Sequence, residues 1–155
     1  MKIDADERVK TAVDYLDQGY TCAQAVVLTF IDLFDIDRDS ALKFTASFGS
    51  GIANLREVCG AVSGMVMILG WVYPYEFGDR AGKRNNYAQV KRCVLTFKER
   101  MGGSYICAEL LKIRLEEKEP VPTDEIINKY AHRPCSRSVA NAALIVCEEI
   151  NSLEN

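Results

Sequence analysis

A run of eighteen uncharged residues, from 58 to 75, constrains the fold more than any other part of the chain. Such a run either spans a membrane or lies in a protein core, and a membrane helix needs about 20 apolar residues. Three glycines and a proline interrupt this one, and Glu57 and Glu76 flank it in place of basic anchors. We therefore predict no membrane span but a central helix buried on all sides. Gly60 and Gly64 would let a neighbouring backbone approach it closely.

The rest of the chain also follows a helical pattern. Apolar residues recur at intervals of three and four, and no run alternates apolar and polar residues as a strand does. The pattern predicts an all-α, single compact domain over residues 1–155, with about six helices around the apolar, Gly-rich one. The first is expected at residues 5–18 and ends at Gly19. Its inward residues are Val9, Ala12, Val13 and Leu16.

The second helix begins directly after the first. Thr21 and Gln24 have the Thr-x-x-Gln spacing of a capping box, in which each side chain bonds the other residue's backbone N–H. Thr21 is therefore the predicted cap, and Cys22 is the first helical residue. The inward series that follows Cys22 is Val26, Thr29, Phe30 and Leu33.

A short helix is expected at residues 40–47, followed by a glycine-containing loop at 48–51. The loop should expose backbone N–H groups, and a nearby sulfur is a better acceptor for them than a phosphate, since no strand precedes the glycines. Cys59 then stands at or near the start of the central helix. Asn54 offers an alternative capping box that would place Cys59 in the second turn.

Glycines and a serine mark the next helix start. Gly102 and Gly103 end one helix and Ser104 can cap the following one, which would make Cys107 its third residue. The apolar residues behind that cysteine are Leu110, Leu111 and Leu115.

The last helix start is signalled by a proline. Residues 114–122 are charged and proline-bounded, which predicts a surface connection, and Thr123 then caps a brief helix that ends near residues 131–133. Pro134 suits the first position of the last helix and makes Cys135 the second. The inward residues of that helix are Val139, Ala142, Ala143, Val146 and Ile150.

Four of the six cysteines thus fall at or near predicted helix starts. The first turn of a helix presents unpaired N–H groups and a positive dipole end, which lower a cysteine pKa and make the sulfur a nucleophile or a metal ligand. We expect these four to converge in one site with catalytic, cofactor-binding or metal-binding roles. They are Cys22, Cys59, Cys107 and Cys135. Cys93 and Cys147 lie in mid-helix and are expected to pack in the core.

Charge argues against nucleic acid as a partner, because the chain has a net charge of −3. Residues 79–100 are the exception, with seven basic side chains against two acidic ones and a local net charge of +5. The apolar spacing there predicts a helix with a basic outer face. The stripe predicted to be buried is Tyr87, Val90, Val94, Phe97 and Met101.

The acidic N-terminal segment lacks the apolar core of a signal peptide, so we expect a reducing, cytoplasmic location. Cysteine clusters in that compartment are more often metal-binding or catalytic than structural. His132, the single histidine, is expected to be a surface residue at a helix end. No hydrolase motif is present, and whether the chain is an enzyme stays open.

Four thiolates brought together in an apolar core repel one another and lose their hydration, so their charge must be neutralised. An iron–sulfur cluster, tetrahedral zinc, oxidation to two disulfides, or protonation can each do this. The spacing contains no Cys-x-x-Cys pair and selects none of these alternatives. Covalent haem is not expected, because Cys-x-x-Cys-His is also absent.

The chain resembles a family of redox-active proteins named for a C…GCAxxG…C…C pattern. The resemblance is carried by Cys-Gly-Ala-x-x-Gly at residues 59–64, by Phe-Gly-Ser-Gly-Ile at 48–52, by Tyr-Thr-Cys-Ala-Gln-Ala at 20–25, and by single cysteines at Cys107 and Cys135. It covers roughly residues 13–149. Val58 departs from the pattern, since the family's name puts a glycine before the cysteine, but this change touches no thiol.

The resemblance implies an all-helical protein whose four cysteines are redox-active or hold a metal centre. Similar domains accompany haem proteins of electron transfer, which favours an iron–sulfur centre. A thiol–disulfide protein without metal is the alternative, as is a helical binding or scaffold module that docks through its basic face. The redox partner is not identified by the sequence, and a homodimer is left open.

Overall fold

The structure, a computed structural model, describes residues 2–116, 125–132 and 135–155. These residues form eight α-helices, together with two short 3₁₀ segments and a four-residue turn at Gly49–Ile52, and contain no β-strand. The all-α prediction is confirmed. The helices are α1 (Ala5–Asp17), α2 (Cys22–Leu28), α3 (Arg38–Thr45), α4 (Gly60–Val72), α5 (Arg80–Arg100), α6 (Cys107–Glu116), α7 (Glu125–Tyr130) and α8 (Ser136–Ser152).

The core lies between α1, α2, α4 and α8. Helix α8 packs most extensively on α1 and also contacts α2, α4 and α5. Every residue of α8 from Ser138 to Cys147 is buried, so this helix is the most enclosed element among the described residues. The inward residues predicted for α1 are all buried, as are most of those predicted for α8, whereas Ile150 is only partly buried.

Helix α4 is not buried on all sides, as its uncharged sequence had suggested. Its first turns are enclosed, but Val66 is 36% exposed and Trp71 is 53% exposed. The last turns reach the surface, where the Trp71 ring lies 6.1 Å from that of Phe34. No helix in the described part of the chain combines the length and apolarity needed to cross a bilayer.

The two glycines of α4 bring it against the start of α2. A Cβ atom added at Gly64 would lie 2.8 Å from the carbonyl oxygen of Ala23, closer than real contacts allow. One added at Gly60 would lie 2.8 Å from the Phe48 carbonyl oxygen and 3.3 Å from Cβ of Cys22. The predicted close approach is confirmed, and its consequence is that Cys22 lies beside the first residue of α4.

Several predicted helix boundaries are wrong. Helix α3 begins at Arg38, because the Asp37 carboxylate accepts the backbone N–H of Ser40 at 2.8 Å. Asn54 does not cap α4, since it lies in a preceding loop with φ of +68°. Helix α6 continues to Glu116, so the connection predicted at 114–122 starts later than expected.

The rest of that connection, residues 117–122, lies outside the described residues, as do Thr123, Arg133 and Pro134.

Helix α5 also differs from its predicted stripe. Tyr87 is 60% exposed, because the neighbouring Asn86 takes the inward position and donates its amide N–H to the Tyr73 carbonyl oxygen at 2.8 Å. Phe97 and Met101 are buried as expected. On the outer face, the side chains of Arg84 and Lys91 are exposed.

Candidate functional site

One cavity collects the four cysteines that the sequence singles out. It has a volume of about 430 Å³ and lies where α2, α4, α6 and α8 begin. Its lining includes Cys22, Cys59, Cys107 and Cys135. Each comes from a different helix start, so the chain brings together sulfur atoms that are far apart in sequence. The chemical role of each cysteine stays a prediction.

Cys22 is positioned by the capping box at the start of α2. The backbone N–H of Thr21 donates to Oε1 of Gln24 at 3.1 Å, and the backbone N–H of Gln24 donates to Oγ1 of Thr21 at 3.2 Å. Both halves of the predicted box are therefore present. They fix Cys22 as the first residue of α2, and Thr21 also lines the cavity.

Cys59 is the cap residue of α4 and is only 6% exposed. Nearby donors to its sulfur are the backbone N–H groups of Ala61 and Val62 and the Ser138 hydroxyl. These donors favour a thiolate, but burial outweighs them and raises the pKa of Cys59 to about 11. The expectation that a helix start would lower this pKa is wrong.

A backbone clamp connects the segment around Cys59 to the segment around Cys107. The N–H of Cys59 donates to the carbonyl oxygen of Tyr105 at 2.9 Å, and the N–H of Cys107 donates to that of Glu57 at 2.6 Å. An isolated antiparallel bridge joins the residues between them. The clamp makes Cys107 the first residue of α6, two positions earlier in the helix than the sequence predicted.

Cys135 precedes α8 as its cap residue and is exposed, whereas the sequence predicted it to be the second residue of that helix. It shares a hydrogen bond with the Cys22 thiol. That hydrogen bond, followed by burial and by the nearby sulfurs of Cys59 and Cys107, raises the pKa of Cys22 well above its ordinary value. At Cys22, too, the neighbouring groups outweigh the helix-start effect.

A left-handed loop forms one wall of the cavity. Six of its seven residues between 50 and 56 have positive φ, including Ile52 at +66° and Arg56 at +60°. A Cβ atom added at Gly51 would lie 2.6 Å from the backbone nitrogen of Glu57, so only glycine fits there. The sequence indicated a glycine loop here, but it did not indicate the left-handed path.

Arg56 is a cavity residue that the sequence analysis missed. Its Nη1 donates to Sγ of Cys107 at 3.7 Å. No signal near Arg56 marked it, because its approach to Cys107 depends on the backbone clamp between two distant segments.

The single histidine and the two other cysteines lie outside the cavity. His132 contacts the Lys129 carbonyl oxygen at 3.1 Å and does not line the cavity. Cys93 and Cys147 are fully buried and do not line it either. Across residues 2–116, 125–132 and 135–155, no group of three or more His, Cys, Asp or Glu side chains is placed to hold a metal ion.

Comparison with known proteins gives one match. A sequence profile of the family described as "Putative redox-active protein (C_GCAxxG_C_C)" matches residues 20–149, a range that contains all four cavity cysteines. No curated protein and no solved structure matches the chain.

Proposed function

The chain belongs to the C_GCAxxG_C_C family, and we propose that it is a redox protein whose electrons pass through the sulfur atoms of the four cavity cysteines. The observation that carries this proposal is the convergence of Cys22, Cys59, Cys107 and Cys135 on one cavity. If the six cysteines served only to pack the core, we would not expect four of them to line the same cavity.

The contact between two of these cysteines supports thiol–disulfide chemistry as the first form of the proposal. Cys22 and Cys135 share a hydrogen bond, and Cys135 is exposed to an incoming partner. Oxidation would form an S–S bond between them and release two protons. The two electrons would reduce a disulfide of the partner to two thiols.

The test is a thiol count on the native protein before and after mild oxidation by a disulfide reagent. We expect the loss of two thiols and, after digestion, a linked peptide pair that contains Cys22 and Cys135. The Cys22→Ser and Cys135→Ser variants should each lose this link. Cys147→Ala is the matched control, because its thiol is buried outside the cavity. An unchanged thiol count would contradict the proposal.

A metal centre held by the same four cysteines is the second form. Four thiols are the donor set of an iron–sulfur cluster or of structural zinc, and the backbone N–H groups of Ala61 and Val62 near the Cys59 sulfur are of the kind that tune cluster potentials. A cluster would supply one-electron transfer. The four sulfurs would have to move closer together to bind it, since no three of them are now placed to share an ion.

Anaerobic purification followed by absorption spectroscopy and by iron, zinc and sulfide analysis tests the second form. We expect stoichiometric metal that is lost in Cys22→Ser and retained in Cys147→Ala. Colourless, metal-free protein would contradict the metal centre and would leave thiol–disulfide chemistry as the proposed function.

The alternative is a helical binding module without redox chemistry. Its support is that Arg84 and Lys91 on α5 are both exposed. Under this alternative, changing both residues to Glu abolishes binding of an acidic partner, whereas Cys107→Ser leaves binding intact.

A further inference from the structure

The cysteine cavity has an uneven distribution of charge. Arg56 is the one formally charged side chain in its described lining, and the other lining residues are apolar or neutral. Its guanidinium lies at Cys107 Sγ with an N···S distance of 3.7 Å and is otherwise exposed. A molecule that enters this cavity therefore meets a positive charge beside a thiol.

The backbone holds Arg56 in this position from both sides. Its N–H donates to the Ser50 carbonyl oxygen at 3.2 Å, and its own carbonyl oxygen accepts the N–H of Ala108 at 3.1 Å. Its φ of +60° is one that non-glycine residues rarely adopt. Strained residues persist where the surrounding structure fixes them, and such positions cluster at functional sites.

We propose that the cavity binds small anionic disulfides, with the negative group on the Arg56 guanidinium and the sulfur at Cys107. This inference rests on the proposed thiol–disulfide function. A volume of about 430 Å³ suits a small molecule, and a guanidinium presents paired N–H donors that match a carboxylate. The chain as a whole has a net charge of −3 and repels anions, so a preference for them requires a local cation.

The first bond change takes place at Cys107, and the later ones require the other cavity sulfurs to move into contact. The Cys107 thiolate attacks one sulfur of the bound disulfide, the reagent's S–S bond breaks, and its other half leaves as a thiolate. The thiolate of Cys135 then attacks the Cys107 sulfur and releases the second half. Attack by Cys22 on Cys135 frees Cys107 and leaves the Cys22–Cys135 disulfide. The reagent gains two electrons and becomes two thiols, and the protein loses two electrons.

The test compares three disulfides of similar size that differ in charge: dithiodipropionate, which is anionic, hydroxyethyl disulfide, which is neutral, and cystamine, which is cationic. The fully reduced protein is mixed with each, and the rate of thiol loss is measured. Each rate is divided by the rate of the same reagent with a small neutral thiol, which removes differences in leaving-group pKa. On this scale we expect dithiodipropionate to react about fivefold to tenfold faster than cystamine, and we expect added salt to reduce the ratio.

Substitutions assign this preference to one side chain. Arg56→Gln should remove it, Arg56→Lys should retain part of it, and Arg84→Gln should leave it unchanged while altering the net charge equally. Equal normalised rates in the unmodified protein, or a preference that survives Arg56→Gln, would overturn the role of Arg56. Failure of all three reagents to oxidise any cavity thiol would instead contradict the thiol–disulfide function itself.

Discussion

The protonation state of each cavity thiol depends on its surroundings more than on its place in a helix. Cys59 lies at a helix start, near two backbone N–H groups that favour a thiolate, and burial still raises its pKa to about 11. The dipole effect is typically worth 0.3–1 kcal/mol, whereas the loss of water around a buried thiolate costs more. A sequence pattern shows the first contribution but not the second.

This balance predicts slow alkylation of Cys59. Its pKa lies about two units above the ordinary value of 9.0, so near pH 8 its thiolate fraction is about 100-fold smaller than that of an unperturbed cysteine. In fully reduced native protein, we expect iodoacetamide to label exposed Cys135 well before Cys59, as followed by peptide mass spectrometry. In denaturant the difference should disappear. Equal labelling in the native protein would show that Cys59 is not enclosed.

A second residue-scale feature is the buried carboxylate of Glu149. Burial alone would raise its pKa, but hydrogen bonds from Arg92 and Tyr73 outweigh burial and hold the pKa below its usual range. Burial and the bond to Glu149 in turn raise the pKa of Tyr73 to about 12. This cluster joins the end of α4 to α5 and α8.

At the scale of single elements, local signals predicted the helices well. The inward face of α1 and the capping box at Thr21 depend on residues at most a few positions apart, and both are confirmed. The starts of α4 and α6 were predicted less accurately. Hydrogen bonds between distant segments determine them, such as the one from the Cys107 N–H to the Glu57 carbonyl oxygen. No local pattern contains that information.

The crossing of α2 and α4 yields a matched pair of substitutions. Gly64→Ala would place a methyl group 2.8 Å from the Ala23 carbonyl oxygen, whereas a methyl group at Gly70 in the same helix meets nothing within 4 Å. We expect Gly64→Ala to destabilise the fold by about 1–3 kcal/mol and Gly70→Ala to stabilise it by up to about 1 kcal/mol. Urea unfolding measures both. Similar effects of the two changes would mean that the helices are not in backbone contact.

At the scale of the whole molecule, the sequence identified four candidate cysteines, but their spacing could not show that they line one cavity. Their intervals are long, and the cavity forms only when four helix starts meet. The contribution of Arg56 to the cavity likewise depends on tertiary contacts. The fold class was predictable because apolar periodicity is repeated along the chain, whereas the site depends on a few long-range contacts.

Several buried thiols together predict sensitivity to alkali. Burial raises the pKa of Cys59 to about 11 and those of Cys93 and Cys147 to about 12, from an ordinary 9.0. At a pH between the unfolded pKa of 9.0 and these folded values, the unfolded chain has lost thiol protons that the folded chain keeps. The free energy of unfolding therefore falls as pH rises. The expected loss is at most about 1.4 kcal/mol per pH unit for each thiol, with none below the unfolded pKa.

Urea titrations of reduced protein, one near pH 8 and one near pH 10.5, measure this dependence. The double variant Cys93→Ala, Cys147→Ala should show a smaller fall between the two conditions than the unmodified protein. Equal stability of the unmodified protein at both pH values would contradict the burial of these thiols.

The hydrogen-bonded pair at the cavity joins two places that are roughly 110 residues apart along the chain. A covalent link there would reduce the number of conformations open to the denatured chain. This loss of entropy would stabilise the folded state by about 4–5 kcal/mol for a loop of this length. Oxidised protein should consequently melt at a higher temperature than reduced protein. The melting temperature measured by calorimetry would then show whether the bond between Cys22 and Cys135 is oxidised or reduced.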